Sequence, residues 1–150
     1  MTIHIATTDA EIAACYPVMQ ELRPHITADD FRSRVRKQQN SGYRLAYAEE
    51  SKEVVAVAGF RISENLAWGR FLYVDDLVSL PGHRSKGIGT DLMSWLKEFA
   101  KRENCLELHL DSGIQRKDAH RFYEREGMSS AGFHFSEKIT SDSVLKNTIK

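Results

Sequence analysis

Arg84-Ser85-Lys86-Gly87-Ile88-Gly89 stands between a strand-like run and a strongly periodic helix, and its order describes a cradle for phosphate. Two glycines one residue apart let the backbone turn tightly and bring successive N–H groups against an anion. The helix that follows adds its free N–H groups and the positive end of its macrodipole, while Arg84 and Lys86 supply full charges. Thr90 and Asp91 follow the second glycine, so this is not a Walker loop, and it is not GxGxxG. Alone, the pattern leaves a plain alternative open, in which the glycines merely end a strand and start a helix.

Working outward, residues 68–80 read as a strand before the loop. After it, Ile88, Leu92, Leu96 and Phe99 mark one face of a helix that runs to about Arg102, with Trp95 beside the stripe. Leu106, Leu108 and Leu110 then alternate with Glu107, His109 and Asp111 in a strand over residues 105–111. Strand, helix and strand make a βαβ unit whose crossover sets the two strands parallel. Ligands of such units bind beyond the carboxyl ends of the strands, where the glycine loop begins.

Upstream the period is shorter. Residues 43–48, 54–62 and 68–80 read as an antiparallel meander, the first two runs joined by a polar turn at residues 49–53. Ile3 and Ile5 mark a short first strand. Asp9 is expected to cap a helix carrying Ile12, Tyr16, Met19 and Leu22, stopped by Pro24. Thr27 with Asp30 resembles a capping box ahead of Phe31 and Val35, in a helix ending at Gly42. Arg32, Arg34, Arg36 and Lys37 give that second helix a basic side, either a surface for an acidic substrate or a solvated face. A last helix spans residues 117–126, stopped by Gly127, and residues 128–135 read as a further strand with Phe133 and Phe135 flanking His134. That strand is either packed in the core or the edge of a homodimer. The expected fold is α+β: a mixed, mostly antiparallel twisted sheet flanked by helices, with a central βαβ unit and a single domain over residues 1–150.

The composition agrees. At 150 residues, 41% hydrophobic and 28% charged, the chain supports one core. With 21 basic and 21 acidic residues there is no net charge to favour nucleic acid or an anionic membrane. Residues 1–9 carry neither a basic leader nor an apolar h-region, and no apolar run reaches membrane-spanning length, so a soluble cytoplasmic protein is expected. Cys15 and Cys105 are far apart, without CxxC, HExxH or another clustered ligand set, so neither a disulfide scaffold nor a metal site is expected.

The loop, the Asp75-Asp76-Leu77-Val78-Ser79-Leu80-Pro81-Gly82-His83 run before it, and Ala119, Phe122, Tyr123, Glu124 and Gly127 after it resemble the GNAT superfamily of acyl-CoA-dependent N-acyltransferases. The resemblance covers residues 68–135. It implies a reaction in which acetyl-CoA, as co-substrate, gives its acetyl group directly to a primary amine of a small molecule. A protein lysine or N-terminus, or a non-catalytic CoA-binding module, is the alternative. It also implies that N–H groups at Ser85 to Thr90 bind the CoA pyrophosphate, with Arg84, Lys86, Gly87, Ile88 and Gly89 in the same loop. The strand at Leu77, Val78 and Ser79 is expected to splay from its parallel neighbour and to present backbone groups to pantetheine and the thioester oxygen. Ser112 then lies where the family contacts pantetheine. Arg116 replaces a common Asn on the cofactor arm and has the reach for a phosphate, and His120, one turn before Tyr123, lines the cofactor channel.

Tyr123 is the expected acid for the departing CoA thiolate, because the reference pKa values of a thiol and a phenol, about 8.5 and about 10, are close. Asp76 is the preferred base. Strand parity sets it with Val74 and Val78 on an apolar face, where burial raises a carboxylate's pKa provided that no Arg or Lys fixes it. Asp75, on the opposite parity, would bind the substrate ammonium, with a bulge able to exchange the two roles. Asp111 would orient Tyr123 or the amine. His109 shares a strand face with Asp111 and would hydrogen-bond to it, and His83 is expected to be exposed. The resemblance to the glucosamine-phosphate N-acetyltransferase branch lies in Asp75-Asp76 and Leu110-Asp111-Ser112.

Overall fold

In the computed structural model, which describes residues 1–84 and 86–139, the alternating runs form five strands in the order β1-β2-β3-β4-β5. They are β1 (Thr2–Ile5), β2 (Arg44–Glu50), β3 (Glu53–Asn65), β4 (Gly69–Ser79) and β5 (Glu107–Leu110). The first four pair antiparallel, and β4 with β5 pairs parallel, as the βαβ reading requires. Helices α1 (Asp9–Leu22) and α2 (Ala28–Gln39) follow β1, α3 (Ile88–Arg102) crosses between β4 and β5, and α4 (Lys117–Arg125) follows β5.

Strand alternation sorts the core into two layers. Phe60, Leu72 and Val74 face α3, where Ile88, Leu92, Leu96 and Phe99 supply the apolar stripe. Tyr43, Leu45, Tyr47 and Val57 face α1 and α2, against Ile12, Cys15, Met19, Phe31 and Val35. Burial pushes the Cys15 thiol up to about 12, so it packs as an apolar group. No helix among the described residues is long and apolar enough to cross a membrane.

Several local expectations are corrected. Thr8, not Asp9, caps α1: its side chain accepts from the Glu11 N–H, and the Glu11 carboxylate accepts from the Thr8 N–H in a complete capping box. Asp9 instead accepts from Arg36 Nε at 2.9 Å. Arg36 also donates to Gln39 and to the Thr7 carbonyl, so part of the basic side of α2 holds α1 rather than a ligand. Thr27 caps α2 through the Asp30 N–H. The β2–β3 turn is tighter than expected, with Ser51 and Lys52 at φ 53 and 65 between the paired Glu50 and Glu53.

The strand expected at residues 128–135 is absent, and residues 128–139 have no regular structure. Phe133 and Phe135 are 89% and 90% exposed, so they pack in no core. Gly127, at φ 93, ends α4 in the left-handed region, and residues 128–139 form no ladder with β5.

Candidate active site

The site is built around a place where the sheet opens. β4 and β5 share rungs only from Phe71–Glu107 to Val74–Leu110. β5 ends there, while β4 runs on to Ser79 paired with β3 alone. The Leu80 N–H donates to the Val55 carbonyl at 2.9 Å. Alternation along β4 therefore turns Val78 and Asp76 toward β3 and leaves N–H and C=O of Leu77 and Ser79 facing the gap. This is the splay expected for Leu77, Val78 and Ser79. Leu77 and Val78 side chains pack into opposite core layers and hold the strand in place.

A 3-10 turn at Pro81–His83 leads from the gap into the loop. Gly87 forms the N-cap of α3 at φ 76, which a Cβ would strain, and no side chain caps the helix. The first described turn-closing bond runs from the Asp91 N–H to the Gly87 carbonyl, so the N–H groups of Ile88, Gly89 and Thr90 lie ahead of it at the helix mouth. The Ile88 side chain is buried, and its part in the loop is that of the backbone. Thr90 donates its hydroxyl to Glu126 at 3.0 Å, which ties α4 to the start of α3. Arg84 reaches back toward the Ser79 carbonyl through Nε at 3.4 Å, and Lys86 is exposed. Ser85 lies outside the described residues.

Helix α4 lies against this mouth. A Cβ on Gly89 would meet the Phe122 ring at 3.2 and 3.3 Å, so the second glycine also makes room for α4. Tyr123 stacks edge-on with Phe122 at 5.4 Å between ring centres. Burial raises its phenol pKa, and the Arg116 cation offsets part of that rise. His120 Nε2 lies 2.7 Å from the Gly113 carbonyl and ties α4 to the loop after β5. In that loop the Ser112 hydroxyl is buried with no hydrogen-bond partner among the described residues. An orphan hydroxyl costs about 1–3 kcal/mol, so it fits a site completed by a ligand running along the strand gap. His83, expected to be exposed, is half-buried with an unpartnered Nδ1.

The carboxylates depart from expectation. The register shifts between Gly59 and Phe60, which pair with Asp76 and Val74, so Asp75 is the extra residue of a bulge. Val74 faces α3, whereas Asp76 faces α1 and α2 and meets the Tyr43 hydroxyl at 2.8 Å. Asp76 is not a free buried carboxylate. Arg23 Nη2 is 2.8 Å from its Oδ1, and Tyr43 holds its Oδ2. Asp75 is also engaged, accepting from Arg61 Nη2 at 2.7 Å and Nε at 3.0 Å. Both aspartates therefore sit on one face, each paired with a guanidinium.

Asp111 accepts from the Tyr73 hydroxyl, not from Tyr123. His109 turns to Glu107 at 2.7 Å and stacks on Trp68 at 3.5 Å between ring centres, so it does not bond to Asp111. Sequence reasoning missed Arg23, Tyr43, Arg61 and Tyr73. Only Tyr73 carried a signal, since it lies opposite His109 on the parallel rung just before the bulge. The others arrive from distant elements.

The sheet thus opens beside the mouth of α3, with a half-buried tyrosine on the next helix. The family model described as "Acetyltransferase (GNAT) family" matches residues 7–128, and the chain belongs to that family. It is 31% identical over 135 residues to an uncharacterized N-acetyltransferase of Bacillus subtilis, covering 89% of this chain and 95% of that one. It is 34% identical over 101 residues to the aminoalkylphosphonate N-acetyltransferase of Salmonella typhimurium, covering 67% of this chain and 64% of that one. An aminoglycoside N-acetyltransferase solved with CoA has the same fold, with a TM-score of 0.82 at 12% identity over 93% of this chain and 96% of that one. The expected family and fold are both found.

Proposed function

We propose that this N-acetyltransferase moves an acetyl group from acetyl-CoA directly to a primary amine of a small molecule. The observation that carries the reading is the open β4–β5 gap, where Leu77 and Ser79 expose backbone N–H and C=O, leading straight to the uncapped start of α3. The N–H groups of Ile88, Gly89 and Thr90, with Gly87 setting the turn and Arg84 and Lys86 beside them, hold the pyrophosphate. Backbone groups of Leu77 and Ser79 pair with the pantetheine arm, and one N–H polarises the thioester oxygen. The Ser112 hydroxyl finds its partner on the same arm. Arg116 and His120 flank it from the start of α4.

Tyr123 protonates the departing thiolate. The phenol is protonated at neutral pH, the form an acid needs, and burial raises its pKa further. The relatives support a small acceptor, since one acts on an aminoalkylphosphonate and a structural neighbour on an aminoglycoside. The test is acetyl-CoA-dependent CoA release against aminoalkylphosphonates, aminoglycosides, polyamines, amino sugars, amino acids and peptides. Turnover of at least one free small amine is expected. Transfer to polypeptides alone, or binding of acetyl-CoA without transfer, would refute the reading.

A further inference from the structure

Three carboxylates stand near the apex of the strand gap, and their partners separate them. Asp75 is clamped by Arg61, whose Nη2 also reaches Gln38 at 2.8 Å. Asp76 is clamped by Arg23, which also donates to the Asp75 carbonyl at 3.0 Å, and by the Tyr43 phenol. Every carboxylate oxygen of the pair is thus taken by Arg61, Arg23 or Tyr43, and neither aspartate holds one open to an incoming amine.

Asp111 is different. It is the first residue past the last β4–β5 rung, Val74–Leu110, and so stands where the strands part. Leu108 and Leu110 pack toward α3, and alternation turns Asp111 to the opposite face, where the Tyr73 phenol reaches its Oδ2. Among the described residues no Lys or Arg pairs with it, and its Oδ1 has only His134 Nδ1 of the exposed tail, at 3.5 Å. One oxygen is fixed and the other is open.

We infer that Asp111 takes the proton from the acceptor ammonium, with Tyr73 as the positioning residue that aims its carboxylate. This rests on the proposed amine acetylation. The ammonium gives one proton to Asp111, which passes it to solvent, and the amine nitrogen then bonds to the acetyl carbon as the carbon–sulfur bond breaks. Tyr123 gives a proton to the sulfur and is restored by the second proton lost from nitrogen, so the sum is one amide, one free thiol and one released proton. The titratable and charged groups on the face of Asp111 are Tyr73 and Asp75 of β4, His109 of β5 paired with Glu107, and His134 of the tail, with Arg61 held on Asp75.

Asp111→Asn, Asp76→Asn and Tyr73→Phe are compared with wild type on an amine that the wild type acetylates. Asp111→Asn is expected to lower kcat about 100-fold at pH 7, within the range for loss of one general base, with acetyl-CoA Kd and Tm kept. Its kcat/KM for the amine should climb tenfold per pH unit toward the amine's own pKa, while the wild type levels off. Tyr73→Phe should lower kcat about tenfold with acetyl-CoA KM unchanged. An Asp111→Asn variant with wild-type turnover and pH profile overturns the inference, as does the same alkaline rescue in Asp76→Asn. A wild type that binds acetyl-CoA and acetylates no amine refutes the functional reading itself and removes the role with it.

Discussion

Gly59→Ala tests whether the bulge on β4 is held from behind. The glycine pairs with Asp76, and a Cβ there would lie 2.5 Å from Tyr43 Cζ, 2.6 Å from Asp76 Oδ2 and closer still to the phenol oxygen. Tyr43 is only 5% exposed, so its ring cannot swing into solvent without opening the core under α1 and α2. The backbone is not the difficulty, since Gly59 is not among the positive-φ glycines. The cost is the phenol–carboxylate hydrogen bond, about 1.5–3 kcal/mol, plus overpacking of about 1–3 kcal/mol. A total of about 3–5 kcal/mol lowers Tm by about 10 °C, at roughly 2–4 °C per kcal/mol for a chain of this size. Thermal unfolding of Gly59→Ala, Tyr43→Leu and the double variant reads the coupling. Because Leu removes the far end of the ring, the second substitution should then cost little, giving a coupling above about 2 kcal/mol. A Gly59→Ala protein within about 1 kcal/mol of wild type, or full additivity, would refute the account of Tyr43 and Asp76.

Three further outcomes are expected. Ser51 and Lys52 hold positive φ in a two-residue hairpin turn that suits Asn-Gly, so Ser51→Asn with Lys52→Gly should raise stability by about 1–2 kcal/mol in denaturant titration, and a loss would contradict the turn assignment. Glu11 is held down to about 2, first by the Thr8 N–H and then by the Tyr47 phenol and Thr7. Its folded pKa lies below the ordinary 4.5, so its stabilisation is whole above pH 4.5 and fades as pH falls through about 2. Acid unfolding of Glu11→Gln should lack that component, and identical wild-type and variant curves over that window would count against the capping box. Tyr123→Phe should lower turnover about 100-fold while acetyl-CoA still raises Tm; unchanged turnover removes the acid role.

The parts of this protein legible in its sequence are those whose cause is local. The stripe Ile88-Leu92-Leu96-Phe99 forms α3 because its period is helical, and the crossover then fixes β4 and β5 as parallel whatever the substrate. Gly87 and Gly89 were readable as a loop because two glycines one residue apart permit a tight turn, and in the structure Gly87 takes a positive φ while Gly89 sits close against Phe122. The strand misread at residues 128–135 shows the limit of alternation. Phe133 and Phe135 have the period of a strand, but among the described residues no strand pairs with them and both side chains are exposed.

The misreading of the face of Asp76 has a different cause, and it lies in one extra residue. Parity counting assumes an unbroken strand, so it set Asp76 with Val74; the bulge at Asp75 breaks the count and brings both aspartates onto the α1 and α2 face. Their charges then had to be matched, and the matching residues come from a helix end, Arg23, and from β3, Arg61, neither of which any motif around the loop contains. The same bulge comes directly after the last β4–β5 rung, so the residue just past the ladder on β5 inherits the open position. Asp111 is that residue, and the absence of a Lys or Arg partner for it among the described residues follows from where the ladder stops rather than from any pattern in its own neighbours.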